Sequence, residues 1–376
     1  MSRLEHLDGL RAVLALWVVG DHAWLTIFPT VGASSNPRGL LGLATTWMVY
    51  GHFAVVAFIV VSGYSLAIST TAHGARLRGG FWTFLKRRFT RIVLPYWGAL
   101  AISLLLATTV IGRDTGTHWD AALPVTQVGV VLHALLLQDF SGTGQINHAL
   151  WSIALEWHIY LAFPLVLLLR RRFGLLYVTA GVMAAGLLVS ALNHGGLTLW
   201  AEANLLGCFA LGVAAREMAT RASRVPWDLV AGSLLGGFVV VAGILGTVRA
   251  SGGSNTLLEP LFGLGVAALL VSLSQEHTAW LRRGLSWRPL AAVGTYSYSL
   301  YLLHAPVLQL VWQYVMRPLG LPLHDGWALG GLLLLGVPAS LTVGWTYFAL
   351  WERPCTTLGR GAPSVVPCKV LVGVEA

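Results

Sequence analysis

Long apolar runs separated by short polar connections make up most of the chain. An α-helix needs about 20 apolar residues to cross a hydrocarbon core roughly 30 Å thick, and because lipid offers the backbone no hydrogen-bond partners, each span is expected to be helical. Ten candidate runs lie at residues 9–28, 47–70, 92–112, 148–169, 173–193, 200–215, 229–248, 257–274, 294–316 and 327–350. The run at 200–215 is short, and residues 125–138 are apolar enough to dip into a membrane, so the pattern predicts nine to eleven spans.

The composition agrees with this pattern. Hydrophobic residues make up 56% of the 376 positions and charged residues only 10%, whereas soluble domains are about a quarter charged. The first apolar run is long and contains Asp21 and His22, which is not typical of a cleaved signal peptide. The chain is therefore predicted to be an all-α, polytopic integral membrane protein with about ten transmembrane helices. Residues 1–354 form the transmembrane domain in this interpretation, and residues 355–376 form a mobile cytoplasmic tail.

The basic residues predict the orientation in the membrane. With the N-terminus inside, 20 of the 24 Lys and Arg residues fall in cytoplasmic segments, as the positive-inside rule requires. An even number of spans then leaves both termini in the cytoplasm. This topology, together with anionic lipid head groups, explains the net charge of +9, so nucleic acid is not expected as a partner. The basic residues left on the outer side are Arg38, Arg113, Arg249 and Arg317.

The first span carries ionisable side chains at membrane depth, where they are costly unless they are paired or hydrated. Arg11 and His22 are eleven positions apart, which at about 100° per residue places them on one helix face about 16 Å apart. Arg11 then lies at the cytoplasmic surface and His22 beyond the middle of the membrane. His22 is a candidate base, and the alternative is a histidine that merely bonds to a neighbouring helix.

The segment "LWSIALEWHIYLAFP" at 150–164 carries a second polar stripe. Ser152, Glu156 and Tyr160 recur every four residues and therefore share one helix face. Glu156 is a candidate for orienting His22, because a carboxylate that accepts the second ring proton raises the basicity of an imidazole. The competing interpretation is a structural carboxylate.

The segment "GTYSYSLYLLHAP" at 294–306 places Ser297, Tyr301 and His304 on one stripe, next to the helix interruption expected at Pro306. Such donors either line a substrate site or bridge helices.

A basic segment at 81–97 enters the bilayer with Arg88 and Arg91 projecting together at i, i+3. Guanidinium groups bind phosphate in a bidentate manner, so these two residues predict an anion site at the cytoplasmic surface. Cys208, Cys355 and Cys368 have no spacing typical of zinc ligands, and no metal site is expected.

Six motifs follow one another along nearly the whole chain. They are "LDGLRAVLALWVVGDH", "FIVVSGY", "FLKRRFTRIVLPY", "WSIALEWHIYLAFP", "YSYSLYLLHAPV" and "ERP". In this order they resemble the membrane-bound acyltransferase-3 family of bacterial O-acyltransferases. The chain departs from the usual family pattern at Trp157 and His158, which follow the glutamate, and at Ala54 and Val56. These departures bear on the acceptor more than on the reaction.

The resemblance implies a multi-pass enzyme of the bacterial cytoplasmic (inner) membrane. Such an enzyme moves an acyl group, usually acetyl, from cytoplasmic acyl-CoA to a hydroxyl of a saccharide such as a surface polysaccharide or its lipid-linked precursor. Acyl-CoA is then a co-substrate, and no cofactor is bound permanently. The implied roles are His22 and Glu156 in catalysis and Arg11, Arg88 and Arg91 in binding CoA phosphates. The stripe residues assigned to the substrate are Ser152, Tyr160, Ser297, Tyr301 and His304.

Other functions stay open at this point. The acceptor is alternatively a natural product such as a macrolide, and His22 either acts as a base or carries the acyl group itself. A proton-coupled transporter or flippase would use His22, Glu156 and His304 as a proton relay. A structural or regulatory membrane protein is the third interpretation. Membrane lipids are expected partners, and a homodimer is one assembly state that the sequence leaves open.

Overall fold

The computed structural model describes residues 5–71, 74, 76–112, 114–141, 143–194, 203–221, 224–247, 257–275 and 278–359. Within these ranges the regular structure is helical and contains no β-strand, which confirms the all-α prediction. The part of the predicted cytoplasmic tail from residue 360 to residue 376 lies outside the described residues.

Ten helices of 14 residues or more occur in the described part of the chain, in the order of the ten predicted runs. They are α1 (Glu5–Ile27), α2 (Gly51–Thr71), α3 (Gly80–Leu106), α4 (Trp151–Phe173), α5 (Leu175–His194), α6 (Leu205–Met218), α7 (Trp227–Leu245), α8 (Leu258–Ser274), α9 (Ser297–Val311) and α10 (Gly326–Tyr347). Short helical segments lengthen several of them: Gly39–Thr45 and Thr46–Tyr50 precede α2, and Phe348–Glu352 and Arg353–Leu358 follow α10. The predicted domain boundary after residue 354 therefore falls inside a helical segment.

Most of these helices have the length and apolarity of membrane spans. Seven described helical stretches qualify, and an eighth does so if α8 and the helix Ala279–Leu285 are taken as one bent span. The shorter ones are α6, with 14 residues, and α9, which continues through Trp312–Met316 and Arg317–Leu319. A 14-residue helix is only about 21 Å long, which agrees with the short apolar run in the sequence.

The chain reverses direction from helix to helix, so that basic side chains gather at one end of the bundle. Arg11, near the start of α1, donates to Ser65 near the end of α2 at 2.8 Å. Arg170, near the end of α4, pairs with Glu217 near the end of α6 at 2.5 Å. Odd-numbered helices begin at this basic end and even-numbered helices finish there. The arrangement fits the alternation that the basic residues predicted.

Helices α2 and α6 approach each other closely at glycines. A Cβ on Gly212 would lie 2.0 Å from the Val60 carbonyl oxygen, and a Cβ on Gly63 would lie 2.1 Å from the Phe209 carbonyl oxygen. Backbone packing of this kind is how small residues join helices where lipid leaves little hydrophobic driving force. The contact sets the position of Ser62 and Ser65 on α2.

The segment between α3 and α4 folds back into the bundle. It contains the short helix Gln127–Ala134, and the Tyr96 hydroxyl, halfway along α3, donates to the His133 carbonyl at 3.0 Å. Trp97 donates to the Ala134 carbonyl at 2.8 Å. Residues 125–138 therefore reach the depth of the middle of α3, in keeping with their apolar character.

Candidate functional site

Four imidazoles meet beside α1 and form what we call the histidine cluster: His22, His118, His148 and His304. Nδ1 of His22 lies 2.5 Å from Nε2 of His304. The His148 ring stands edge-on to His22 at a centroid distance of 4.8 Å. The His118 ring is stacked with His22 at 6.4 Å and stands edge-on to His148 at 4.6 Å. Although four rings converge, no group of three or more His, Cys, Asp or Glu side chains among the described residues is arranged to hold a metal ion.

The rings differ in their exposure. His304 is only 1% exposed, whereas His22, His118 and His148 are partly exposed. Burial lowers the pKa of His118, which lies in the connection outside the spans, below its ordinary value because a charged ring would lose hydration there. This shift favours the neutral form of His118. The cluster thus presents partly accessible rings around one fully buried ring.

Pro306 explains how the connection is held against α9. A proline has no N–H, so the Leu302 carbonyl one turn earlier has no partner within its own helix. The Asn147 side-chain amide donates to that carbonyl at 3.2 Å, and the Asn147 side-chain oxygen accepts from the Ala149 N–H at 3.1 Å. Asn147 thereby fixes the start of the turn that carries His148.

A second polar group lies deeper in the bundle, toward its basic end. Oε1 of Glu156 accepts hydrogen bonds from the Ser62 hydroxyl at 3.2 Å and from the Tyr160 hydroxyl. The Arg88 guanidinium lies over the Tyr160 ring, 5.6 Å from its centroid, and interacts electrostatically with Glu156. Arg88 and Glu156 thus both lie against Tyr160, with the negative charge of the carboxylate near the guanidinium.

We use the name arginine cluster for Arg11, Arg88 and Arg91. The Arg11 guanidinium donates to the Asp8 carboxylate at 2.8 Å. It also interacts electrostatically with Arg91. Arg91 is exposed and also interacts electrostatically with Glu352. Three guanidinium groups at one end of the bundle, one of them exposed, form a surface suited to phosphate.

The polar stripe of α4 connects the two clusters. Ser152 lies within 2.7 Å of the Tyr301 hydroxyl, and the Tyr301 ring lies 5.7 Å from the His304 ring. Glu156 lies one turn beyond Ser152 on α4, and Tyr160 lies two turns beyond it, which is a distance of about 12 Å along the helix. Polar side chains on one face of α4 therefore form a line from the histidine cluster toward Arg88.

The structure changes two of the sequence-based assignments. Glu156 does not pair with His22 as predicted, because its carboxylate serves Ser62 and Tyr160 while His304 contacts the imidazole. Ser297 donates to the Gly294 carbonyl at 2.9 Å in the first turn of α9. That bond is local to the first turn, so Ser297 has a backbone partner rather than a hydrogen bond to Tyr301 or His304.

Some polar residues of the site escaped the sequence analysis. His118 and His148 lie in a polar connection that resembles an ordinary outer loop, and only the fold-back of that loop brings them to His22. The partner of His52, which lies outside the two clusters, was missed as well: its Nε2 lies 2.5 Å from Oε1 of Glu259, and the side-chain amide of Asn204 donates to the same carboxylate. The sequence offered one signal for His52: a histidine within an apolar run is costly unless it has a polar partner.

Comparison with known proteins identifies the family. A model described as an acyltransferase domain matches residues 4–349. The chain belongs to the acyltransferase-3 family. The match covers all ten helices in full, so the histidine and arginine clusters both lie within the family domain.

Three relatives of this acyltransferase-3 protein are informative. Acyltransferase MdmB of Streptomyces mycarofaciens is 27% identical over 96% of this chain and 94% of its own length. YrhL of Bacillus subtilis, named a putative peptidoglycan O-acetyltransferase, is 27% identical over 81% of this chain and 48% of its own. O-acetyltransferase OatA of Staphylococcus aureus is 23% identical over 84% and 52%, respectively. The chain spans about half the length of YrhL and OatA, and no solved structure matches it. These relatives support a multi-pass membrane O-acyltransferase.

Proposed function

We propose that this protein transfers an acyl group, most simply acetyl, from cytoplasmic acyl-CoA to a hydroxyl of a saccharide in a bacterial cytoplasmic membrane. The observation that carries the proposal is the polar line that joins the histidine cluster to the arginine cluster. One end of this line offers cations for a phosphorylated donor, and the other offers partly accessible imidazoles for a reacting hydroxyl.

The donor fits the basic end. Acyl-CoA carries several phosphate charges at one end and its thioester at the other, joined by the long pantetheine arm. Arg11, Arg88 and Arg91 would hold the phosphates, and charge-assisted hydrogen bonds of this kind contribute roughly 1.5–3 kcal/mol each. Arg11 and His22 lie on one face of α1 about 16 Å apart. The arm would then carry the thioester along the bundle toward His22.

The reaction balances with His22 as the base. The acceptor hydroxyl attacks the thioester carbonyl, the carbon–sulfur bond breaks and a carbon–oxygen ester bond forms. His22 takes the hydroxyl proton and returns it to the departing thiolate, which leaves as CoA thiol. Transfer through an acyl group carried on His22 is the alternative route. Labelled acyl group trapped on the protein in the absence of acceptor would reveal that route.

The first test is donor turnover. The purified protein in lipid nanodiscs is given acetyl-CoA and an acceptor, and free CoA thiol is measured. We expect His22→Ala to lower the rate on the order of 100-fold or more, the range for loss of a general base. His324→Asn, a change at an exposed histidine, is the matched control and should leave the rate unchanged. A fully active His22→Ala enzyme would refute the mechanism.

The acceptor needs a separate test. The name of YrhL refers to peptidoglycan, a saccharide polymer, and this supports a saccharide here. Soluble saccharides, lipid-linked saccharides and a macrolide are incubated in parallel with acetyl-CoA, and the mass increment of an acetyl group is sought in each. Acetylated macrolide alone would replace the saccharide proposal. Proton uptake by proteoliposomes without any acyl product would instead favour a transporter.

A further inference from the structure

The contact between His22 and His304 is an in-plane hydrogen bond. The two ring planes differ by 4° and the centroids lie 4.8 Å apart, while the nearest ring nitrogens are 2.5 Å apart. The centroid separation is close to the nitrogen–nitrogen distance plus the two ring radii, so both nitrogens lie on the line between the centroids. The rings therefore lie edge to edge in nearly one plane. The lone pair of one nitrogen points at the N–H of the other.

The backbone of α9 determines which nitrogen of His304 carries hydrogen. Nδ1 of His304 lies 2.7 Å from the Tyr301 carbonyl oxygen. A carbonyl oxygen only accepts, so Nδ1 must be the N–H donor. The opposite nitrogen, Nε2, faces His22. In a neutral ring this nitrogen has no hydrogen and can only accept.

Burial keeps His304 neutral. The side chain is 1% exposed, and the partners that the structure gives it are the backbone of Tyr301 and Leu300 and an imidazole nitrogen. A buried imidazolium without a carboxylate beside it would lose its hydration with little compensation. Neutral His304 therefore accepts from His22, and Nδ1 of His22 is the donor.

We propose that His304 is a positioning residue that holds His22 in the tautomer with hydrogen on Nδ1 and a free lone pair on Nε2. This inference rests on the proposed acyl transfer and adds to it the identity of the atom that takes the hydroxyl proton. The chain of contacts runs from the Tyr301 carbonyl through His304 to His22. It gives His304 the part that a carboxylate has in a Ser-His-Asp triad, where the partner selects the tautomer of the base.

The contacts also explain how His304 can orient His22 although it carries no charge. Once Nε2 of His22 has taken a proton, the Nδ1–H still donates to His304, and this hydrogen bond stabilises the imidazolium. The other rings that face His22 are His118 and His148. Among the described ring contacts of His22 the partners are thus imidazoles, so His304 is the group placed to orient the base. Its earlier assignment as a substrate contact is replaced by this role.

Two variants separate orientation from bulk packing. In His304→Gln the side-chain carbonyl can occupy the position of Nε2 and accept from His22, whereas His304→Leu fills the space without an acceptor. For acetyl transfer in nanodiscs we expect His304→Leu to lower kcat about 100-fold and His304→Gln to stay within about tenfold of the wild type, on the scale of general base catalysis. The KM for acetyl-CoA should be unchanged in both, since the arginine cluster is untouched.

The tautomer itself is measured without any turnover. In protein labelled with ¹⁵N-histidine, the His22 signals are identified by their loss in His22→Ala. We expect a protonated Nδ1 and a bare Nε2 in the wild type and in His304→Gln, and a mixture of tautomers in His304→Leu. Wild-type kcat in His304→Leu, or a folded His304→Gln that is as impaired as His304→Leu, would overturn the proposal, as would a bare Nδ1 on wild-type His22. A wild type that shows this tautomer but no acyl transfer would refute the proposed function and leave the orientation by His304 standing.

Discussion

Asp21 and His22 are adjacent in sequence, yet their side chains face different parts of the bundle. His22 joins the histidine cluster, whereas Asp21 turns toward α2, where a Cβ on Gly51 would lie 2.4 Å from the Asp21 Cβ. Neighbouring residues of a helix point about 100° apart, which is why one residue pair can face two interfaces. The two ionisable groups of this span therefore face different helices.

Glu156 illustrates how a residue can lie on the expected helix face and still have an unexpected partner. The four-residue spacing placed it in line with Ser152 and Tyr160, and the structure shows that line. Its carboxylate, however, accepts from the Tyr160 hydroxyl, over whose ring Arg88 lies, rather than orienting His22. Glu156 thus belongs to the donor end of the proposed site.

We expect Glu156→Gln to weaken donor binding rather than the chemical step. The amide keeps the shape of the side chain but removes the negative charge near Arg88, so the KM for acetyl-CoA should rise several-fold to about tenfold, while kcat stays within a few-fold. Steady-state kinetics over a range of acetyl-CoA concentrations provides the measurement. Glu217→Gln is the control, because Glu217 pairs with Arg170 and Arg221 at the same end of the bundle. A selective loss of kcat in Glu156→Gln would instead restore its catalytic assignment.

Helices α2 and α6 show how the packing of two elements positions a site. The backbones approach at Gly63 and Gly212, and this approach carries Ser62 to Glu156 and Tyr160. A side chain at either glycine would push the helices apart. The two glycines are therefore structural requirements of the site, although neither touches a reacting group.

Gly212→Ala should destabilise the protein by about 1–3 kcal/mol, the usual cost of overpacking. Its Cβ would meet the Val60 carbonyl oxygen at 2.0 Å, and a backbone atom cannot move aside alone. The midpoint of thermal unfolding in detergent is the measurement. Gly236→Ala is the matched control, since a Cβ there meets no atom within 4 Å and alanine favours helix by about 1 kcal/mol. Equal midpoints for the two variants would show that α2 and α6 do not pack this closely.

The connection between α3 and α4 is the element whose role differs most from its appearance. It holds the turn formers and polar residues of a loop, yet it carries His118 and His148 to His22 and packs its short helix against α3. The carbonyl freed by Pro306 provides one of its anchors. The site is thus assembled from helices and from a connection that folds back between them.

The molecule as a whole is polarised along the bundle. Basic side chains gather where the odd-numbered helices begin, and the histidine cluster lies farther along α1 toward the opposite end. A membrane that keeps positive charge on its cytoplasmic side would hold the arginine cluster inside. Donor and acceptor would then approach the polar line from different directions.

Cysteine labelling tests this orientation. In a cysteine-free background we expect Ser34→Cys to react with a membrane-impermeant maleimide on intact cells, because Ser34 lies in the connection after α1. Arg221→Cys, which follows α6, should react only after the cells are lysed. Both positions are exposed, so a difference in labelling reports the side of the membrane. Labelling of Arg221→Cys on intact cells would reverse the predicted topology.

The sequence alone determined the order and approximate number of the helices, the basic end of the bundle and the residues that share a face of α1, α4 or α9. These features follow from requirements that act within one segment: a span must be long, apolar and internally hydrogen-bonded, and 3.6 residues per turn fix its faces. Tertiary structure decided which faces meet. Spacing within α4 cannot show whether Glu156 reaches His22 or Arg88, and nothing local marks His118 and His148 as interior residues. The pairing of His22 with His304, 282 positions apart, arises only when α1 and α9 pack side by side.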